Sequence, residues 1–309
     1  MVDSLTSPAM SSPTTTAASL ARTWLADVFE TMARHGAPTA QPVCEALLGL
    51  WLCDHLLEDR TPSPCFREVA ARARDLLPPG GDGFAGVPPT LQLFASFLLT
   101  RAGAAHPYLD GYARLTAEVL DGWTPDDPAE ERALLEKQVL LHAAGLSRAP
   151  RLVTRAEVIA VAERLALPAD PAWVADLVLD VEAATGWGTR SLSLLPGEAW
   201  LVGLLRGLAT DAFRQYDIAG GCRLFRALIH VDCPGTVDEF RDYVLLQQRL
   251  EGAFGFFGPE EAALRARAPE ADTTLALSLP VTVQCLWSLA EAVDPAWRLF
   301  RELPQRRDD

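Results

Sequence analysis

Apolar side chains in this chain return every three or four positions, stretch after stretch, and Pro, Gly or a short polar cap closes each stretch. That spacing collects them on one face of an α-helix, whereas a strand would need strict alternation. No run of alternating β-branched residues bounded by turns competes with it. The expected fold is all-α, about a dozen helices stacked as antiparallel hairpins in an α/α array or partial toroid. No strict period is present, so a true solenoid repeat is not implied.

The 309 residues are 49% hydrophobic, enough for a large core. Residues 1–18 are rich in Ser, Thr, Pro and Ala and poor in large apolar groups, and are expected to be a disordered tail. Residues 19–303 read as a single all-helical domain with candidate halves 19–150 and 151–303. Ser19 is placed to cap the first helix, Pro42 to open the second and Pro64 the third. Thr154 and Glu157 fit a capping box. The apolar segment from Thr273 to Val293 gives the last strong helix, with a kink expected at Pro280.

One stretch near mid-chain gathers acids, an aromatic and a helix breaker: Trp173 to Arg190. Asp170 and Pro171 suit its start, and Gly186 suits a left-handed stop. Asp176 and Asp180 lie one turn apart on one face, with Ala183 and Trp187 continuing that line. If the two carboxylates are buried together, one retains a proton and suits acid–base work; if they face water, they are an ordinary polar face. Trp187, between two glycines, either caps a cavity or plugs the core.

The net charge of −14 removes the electrostatic basis for binding nucleic acid or anionic membranes. No strictly apolar run reaches the ~20 residues that span a bilayer, and no signal peptide is visible at the start. A cytoplasmic protein is expected. The six cysteines are scattered without a C-x-x-C pair, which leaves them as small core residues rather than zinc ligands or a redox motif. There is no nucleotide-binding loop, dinucleotide fingerprint, G-x-S-x-G or H-E-x-x-H, so no cofactor and no metal are expected.

Thr185-Gly186-Trp187-Gly188-Thr189-Arg190 and, further on, Tyr216-Asp217-Ile218 carry a resemblance. They are similar to the second half of a helix-end pattern and to a later helix start in the all-helical actinobacterial domain-of-unknown-function family 6895. Where that pattern has His and Asp, this chain has Leu179 and Gly186. The resemblance covers roughly the second half of the chain. It implies an all-helical fold and a setting near specialised metabolism, and it implies no activity. The Ala-, Leu- and Arg-rich composition, with Lys137 as the single lysine, goes with such a genome.

Two other constellations stand out. Asp54, His55, Glu58 and Asp59 crowd a helix C-terminus, where acids oppose the dipole; they read either as a cation or Arg site or as a solvated helix end. His230 and Cys233 lie close in sequence without an evident orienting group, and His142 reads as a core histidine.

Two functional readings follow. In the first, the chain is a cofactor-free enzyme or enzyme-like pocket acting on a hydrophobic small molecule. Asp176, Asp180 and Asp217 are then the candidate proton-moving carboxylates, and Trp187, Tyr216, Thr185, Arg190 and His55 the candidate binding residues. In the second, it is a non-catalytic helical array that holds a peptide or protein partner in a groove.

Overall fold

The structure is a computed structural model that describes residues 12–35, 39–57, 62–123, 128–164, 170–231, 237–269, 272–294 and 299–302. The chain is all-helical, 76% helix with no sheet among the described residues. In order the helices are α1 (Pro13–His35), α2 (Ala40–Leu57), α3 (Pro64–Leu76), α4 (Pro89–Arg101), α5 (Pro107–Gly122), α6 (Pro128–Ala143) and α7 (Arg155–Ala162). They continue with α8 (Pro171–Thr185), α9 (Trp200–Arg214), α10 (Ile218–His230), α11 (Val237–Leu246), α12 (Gly258–Arg267), α13 (Leu279–Val293) and the single turn α14 (Leu299–Glu302).

Chain neighbours α1 and α2, α4 and α5, α7 and α8, and α9 and α10 pack on each other as stacked helical pairs. The centre is a row in which α2 packs on α13 and α13 on α10, with α4 against the other side of α2. One hydrophobic cluster runs through the molecule, from Ala17 on α1 to Phe300 on α14. Sequence and packing agree about the central helices. α2, α8 and α13 are apolar nearly all round, and such helices belong inside.

Local signals in the sequence set most helix ends. Ser63 accepts from Phe66 N (3.0 Å) and caps α3. The capping box of α7 forms in full, with Thr154 Oγ1 accepting from Glu157 N and Glu157 accepting from Thr154 N. Asp170 accepts from Ala172 N (2.9 Å) at the start of α8. α8 ends in a Schellman arrangement: Trp187 N donates to Glu182 O (2.7 Å) and Gly186 N to Ala183 O (3.3 Å). Gly186 sits at φ +56°, the left-handed stop its identity suggested, and Trp187 follows at φ +51°.

Three expectations change. α1 begins at Pro13 rather than Ser19, because Thr14, Ala17 and Ala18 are small enough to pack and are buried; Gln248 Nε2 also donates to Ala17 O (2.8 Å). His142 is exposed, with Nδ1 3.1 Å from Ser147 O, because α6 turns its Leu135, Val139, Leu140 and Leu141 inward instead. Pro280 does not bend its helix in the middle. A π-turn over Thr274–Ser278 runs straight into α13, widening the helix just before the residue that lacks an N–H.

The resulting apolar segment, Thr274–Val293, is long and apolar enough to cross a bilayer by composition, yet 67% of it is buried within the molecule. It is the central core helix of the row.

Candidate functional site

The structure disperses the residues that the sequence singled out. Asp180 is buried, while Asp176, one turn earlier, is exposed, so the two carboxylates do not share a buried environment. Trp187 lies in the core 5.9 Å from the Phe300 ring. Arg190 reaches back to donate from Nε to Ala184 O (2.9 Å). Tyr216 is 69% exposed at φ +62°, and Asp217 caps α10 by accepting from Gly220 N (2.9 Å). His55 is half-buried at the end of α2. Asp54 is buried and accepts from Ser63 N (2.7 Å), pinning the start of α3 to α2. Glu58, Asp59 and Cys233 lie outside the described residues. Among the described residues no group of three or more His, Cys, Asp or Glu side chains is placed to hold a metal ion.

Thr185 and His230 enter a polar network at the junction of α8, α10 and α13. The Thr185 hydroxyl shares its one proton between Val181 O (2.9 Å) and Glu182 O (3.0 Å), accepts from Gly188 N (3.2 Å) and stands 3.4 Å from His230 Nδ1. His230 Nε2 lies 2.9 Å from Glu291 Oε2, and the other oxygen of Glu291 accepts from Trp287 Nε1 (2.9 Å). Arg226 is 2% exposed. It faces Glu291 at 3.5 Å and Glu182 at 3.7 Å, and its guanidinium stacks 3.8 Å from the centre of the Trp287 ring. Glu182 also accepts from Arg223 Nη2 (2.7 Å).

Two buried carboxylates thus meet one buried guanidinium, Arg226, while Arg223 reaches Glu182 from the partly exposed side. Burying charge is costly unless it is paired, and pairing with a stacked aromatic offsets part of that cost. Beside this network Glu136 on α6 is pushed above the usual carboxylate range, by burial and then by repulsion from Glu182. Its carboxylate accepts from Thr90 Oγ1 (3.0 Å) at the first turn of α4.

Thr90 and Trp287 connect the network to a cavity of about 210 Å³ between α2, α4 and α13. Leu48, Leu91, Phe94 and Val283 give it apolar walls, and Glu45 and Gln284 give it a polar side. Glu45 is 8% exposed. Gln41 Nε2 donates to its Oε1 (2.8 Å), but its Oε2 is buried without a hydrogen-bond partner, and so is Gln284 Oε1. Burial pushes the Glu45 carboxyl up to about 7, against the opposing effect of the Gln41 bond.

Two other cavities differ in kind. A groove of about 390 Å³ along α1 carries Asp27, His35 and Asp272, all exposed. A hollow of about 150 Å³ between α4 and α5 holds Asp110, already bonded by Ser96 Oγ (3.0 Å). Of the three, the α2–α4–α13 cavity is the one that presents a buried, unsatisfied ionisable group to its contents.

Glu45, Arg226 and Glu291 escape a reading that looks for clusters of charge. Glu45 and Glu291 are solitary charges in helices otherwise apolar over several turns, Val43-Cys-Glu-Ala-Leu and Ser288-Leu-Ala-Glu-Ala, and Arg226 sits in the apolar run Leu224-Phe-Arg-Ala-Leu one turn after Arg223. That isolation is the available signal, since charged residues are almost never buried unless paired or functional.

No family model, no curated protein and no solved structure matches the chain.

Proposed function

We propose that the chain is a pocket protein for a hydrophobic small molecule, held between α2, α4 and α13 with its polar end at Glu45. The observation that carries this reading is the unsatisfied Glu45 Oε2 in an otherwise apolar cavity. A buried polar atom left unpaired costs stability, and ligand sites are apolar hollows with a few such groups converging on them. A carboxyl that titrates near neutrality can also give or take a proton under ordinary conditions, so the pocket suits acid–base chemistry on what it holds. Asp176, Asp180 and Asp217 have no part in this reading.

The size is informative. An engineered apolar cavity of about 150 Å³ holds benzene. A space of about 210 Å³ fits one ring with a short arm, or an alkyl chain of similar bulk.

The test is saturation-transfer NMR with toluene on the full chain. Toluene signals are expected to lose intensity with wild type. The effect should disappear in Leu48→Trp and in Val283→Phe, which fill the cavity from opposite walls. Equal transfer in wild type and in both folded variants would place the binding elsewhere and end this reading.

A further inference from the structure

We propose that the pocket takes a primary amine, bound as its ammonium ion, on a compact apolar body of one ring or a short alkyl chain. The inference rests on the pocket reading above and names the head group it selects.

Two hydrogen-bonding positions in the cavity are vacant. Glu45 Oε2 and Gln284 Oε1 both line the cavity and both lack partners. Once Glu45 is ionised, its carboxylate oxygen and the amide oxygen are both acceptors, so the missing partner supplies donors. An ammonium group supplies three, enough to engage both oxygens at once. A hydroxyl supplies one and leaves one oxygen orphaned. A carboxylate supplies none.

Charge points the same way. The cavity lining contains one ionisable group, an acid, and no base. A second carboxyl, Glu136, stands one hydrogen bond behind the lining residue Thr90. The nearest cation, Arg226, lies over the Trp287 ring and is already faced by Glu182 and Glu291. The surface of the molecule, at a net charge of −14, draws cations towards any mouth it offers. A charge-assisted bond to Glu45 is also stronger than a neutral one, and Glu45 itself is buried against apolar walls where water screens it little.

One feature opposes this choice and fixes the control. α4 starts at the cavity with Pro88 in the capping position and no side-chain cap, and a helix start favours anions. An anionic ligand is therefore the alternative to be beaten.

The experiment is calorimetric titration of the full chain with three probes of one shape: phenethylamine, phenethyl alcohol and phenylacetate. The amine is expected to bind about tenfold or more tighter than the alcohol, the usual worth of a charged over a neutral hydrogen bond. Phenylacetate is expected to bind most weakly. In Glu45→Gln, an isosteric change, the amine should lose that advantage while alcohol binding persists. Leu48→Trp should abolish binding of all three.

Alcohol bound as tightly as amine, or phenylacetate bound best, overturns the amine assignment and leaves the pocket reading standing. If none of the probes binds and toluene does not bind, the pocket reading itself fails. Retained amine preference in folded Glu45→Gln also overturns the proposal, because the selecting group would then be another.

Discussion

Burial of Glu45 ties the stability of this protein to pH. Its folded-state pKa stands near 7, raised by burial from a usual 4.5. Between those values the folded chain keeps a proton that the unfolded chain has released. The corresponding stabilisation is complete below the unfolded value, declines as pH rises through 7 and is gone above it. A shift of this size corresponds to about 3 kcal/mol. Glu45→Gln cannot ionise, so the difference in unfolding free energy between it and wild type should grow by about that amount, in favour of the variant, from about pH 5 to about pH 8. Urea titrations of both proteins at the two ends of the range measure it. A constant difference would mean that Glu45 ionises in place without a penalty. The buried thiols behave in the same direction. Burial pushes Cys44 up to about 12, and it raises Cys53 and Cys285 as well. Thiols held protonated this way are poor nucleophiles, which suits packing rather than chemistry.

At the scale of helices, two glycines with opposite surroundings give a paired prediction. A Cβ on Gly221 of α10 would stand 2.5 Å from the Phe213 ring of α9, so the bare backbone is what lets these helices close on each other. Gly221→Ala is expected to cost about 1–3 kcal/mol by overpacking. Gly207, in the exposed face of α9, has nothing near its missing Cβ, and Gly207→Ala should stabilise by about 0.5–1 kcal/mol. Thermal unfolding of the two variants should therefore move in opposite directions.

Features of this local kind were legible in the sequence: Pro64, Thr154 and Asp170 announce helix starts, and Gly186 announces a stop, because each acts on backbone within three or four residues of itself. The start of α1 was not legible. Its first turns are held by small side chains against distant partners, and Gln248 reaches Ala17 from the far end of the chain. The pocket was hidden for the same reason. Glu45 and Gln284 are brought together only by the packing of α2 on α13, which no sequence spacing records. The acids near mid-chain attracted attention through their proximity in sequence, but one turn of helix carried Asp176 out to water and left Asp180 inside.

For the molecule as a whole, the Glu182–Arg226–Glu291–His230 network joins α8, α10 and α13 inside a largely apolar core. Removing one member strands the charges that remain. Arg226→Met is expected to cost about 3–5 kcal/mol in the urea unfolding free energy, because two buried carboxylates lose the guanidinium that stands between them. The loss should be insensitive to added salt, since ions cannot screen a pair they do not reach. The solvent-accessible Arg72–Glu30 pair between α3 and α1 is the counterpart: its removal should cost far less and matter less still at high salt. A small cost for Arg226→Met would show that water enters the junction.

Trp287 belongs both to this network and to the pocket wall. If the pocket holds the small molecule proposed above, that double membership restricts how a lineage carrying this fold can change its ligand. A mutation at Trp287 that suits a new occupant also uncovers a guanidinium and removes a donor from Glu291, so selection for folding discards it before selection for binding can act. Divergence in what the pocket accepts is channelled to Leu48, Leu91 and Val283, whose neighbours are apolar and forgiving, while the indole stays fixed.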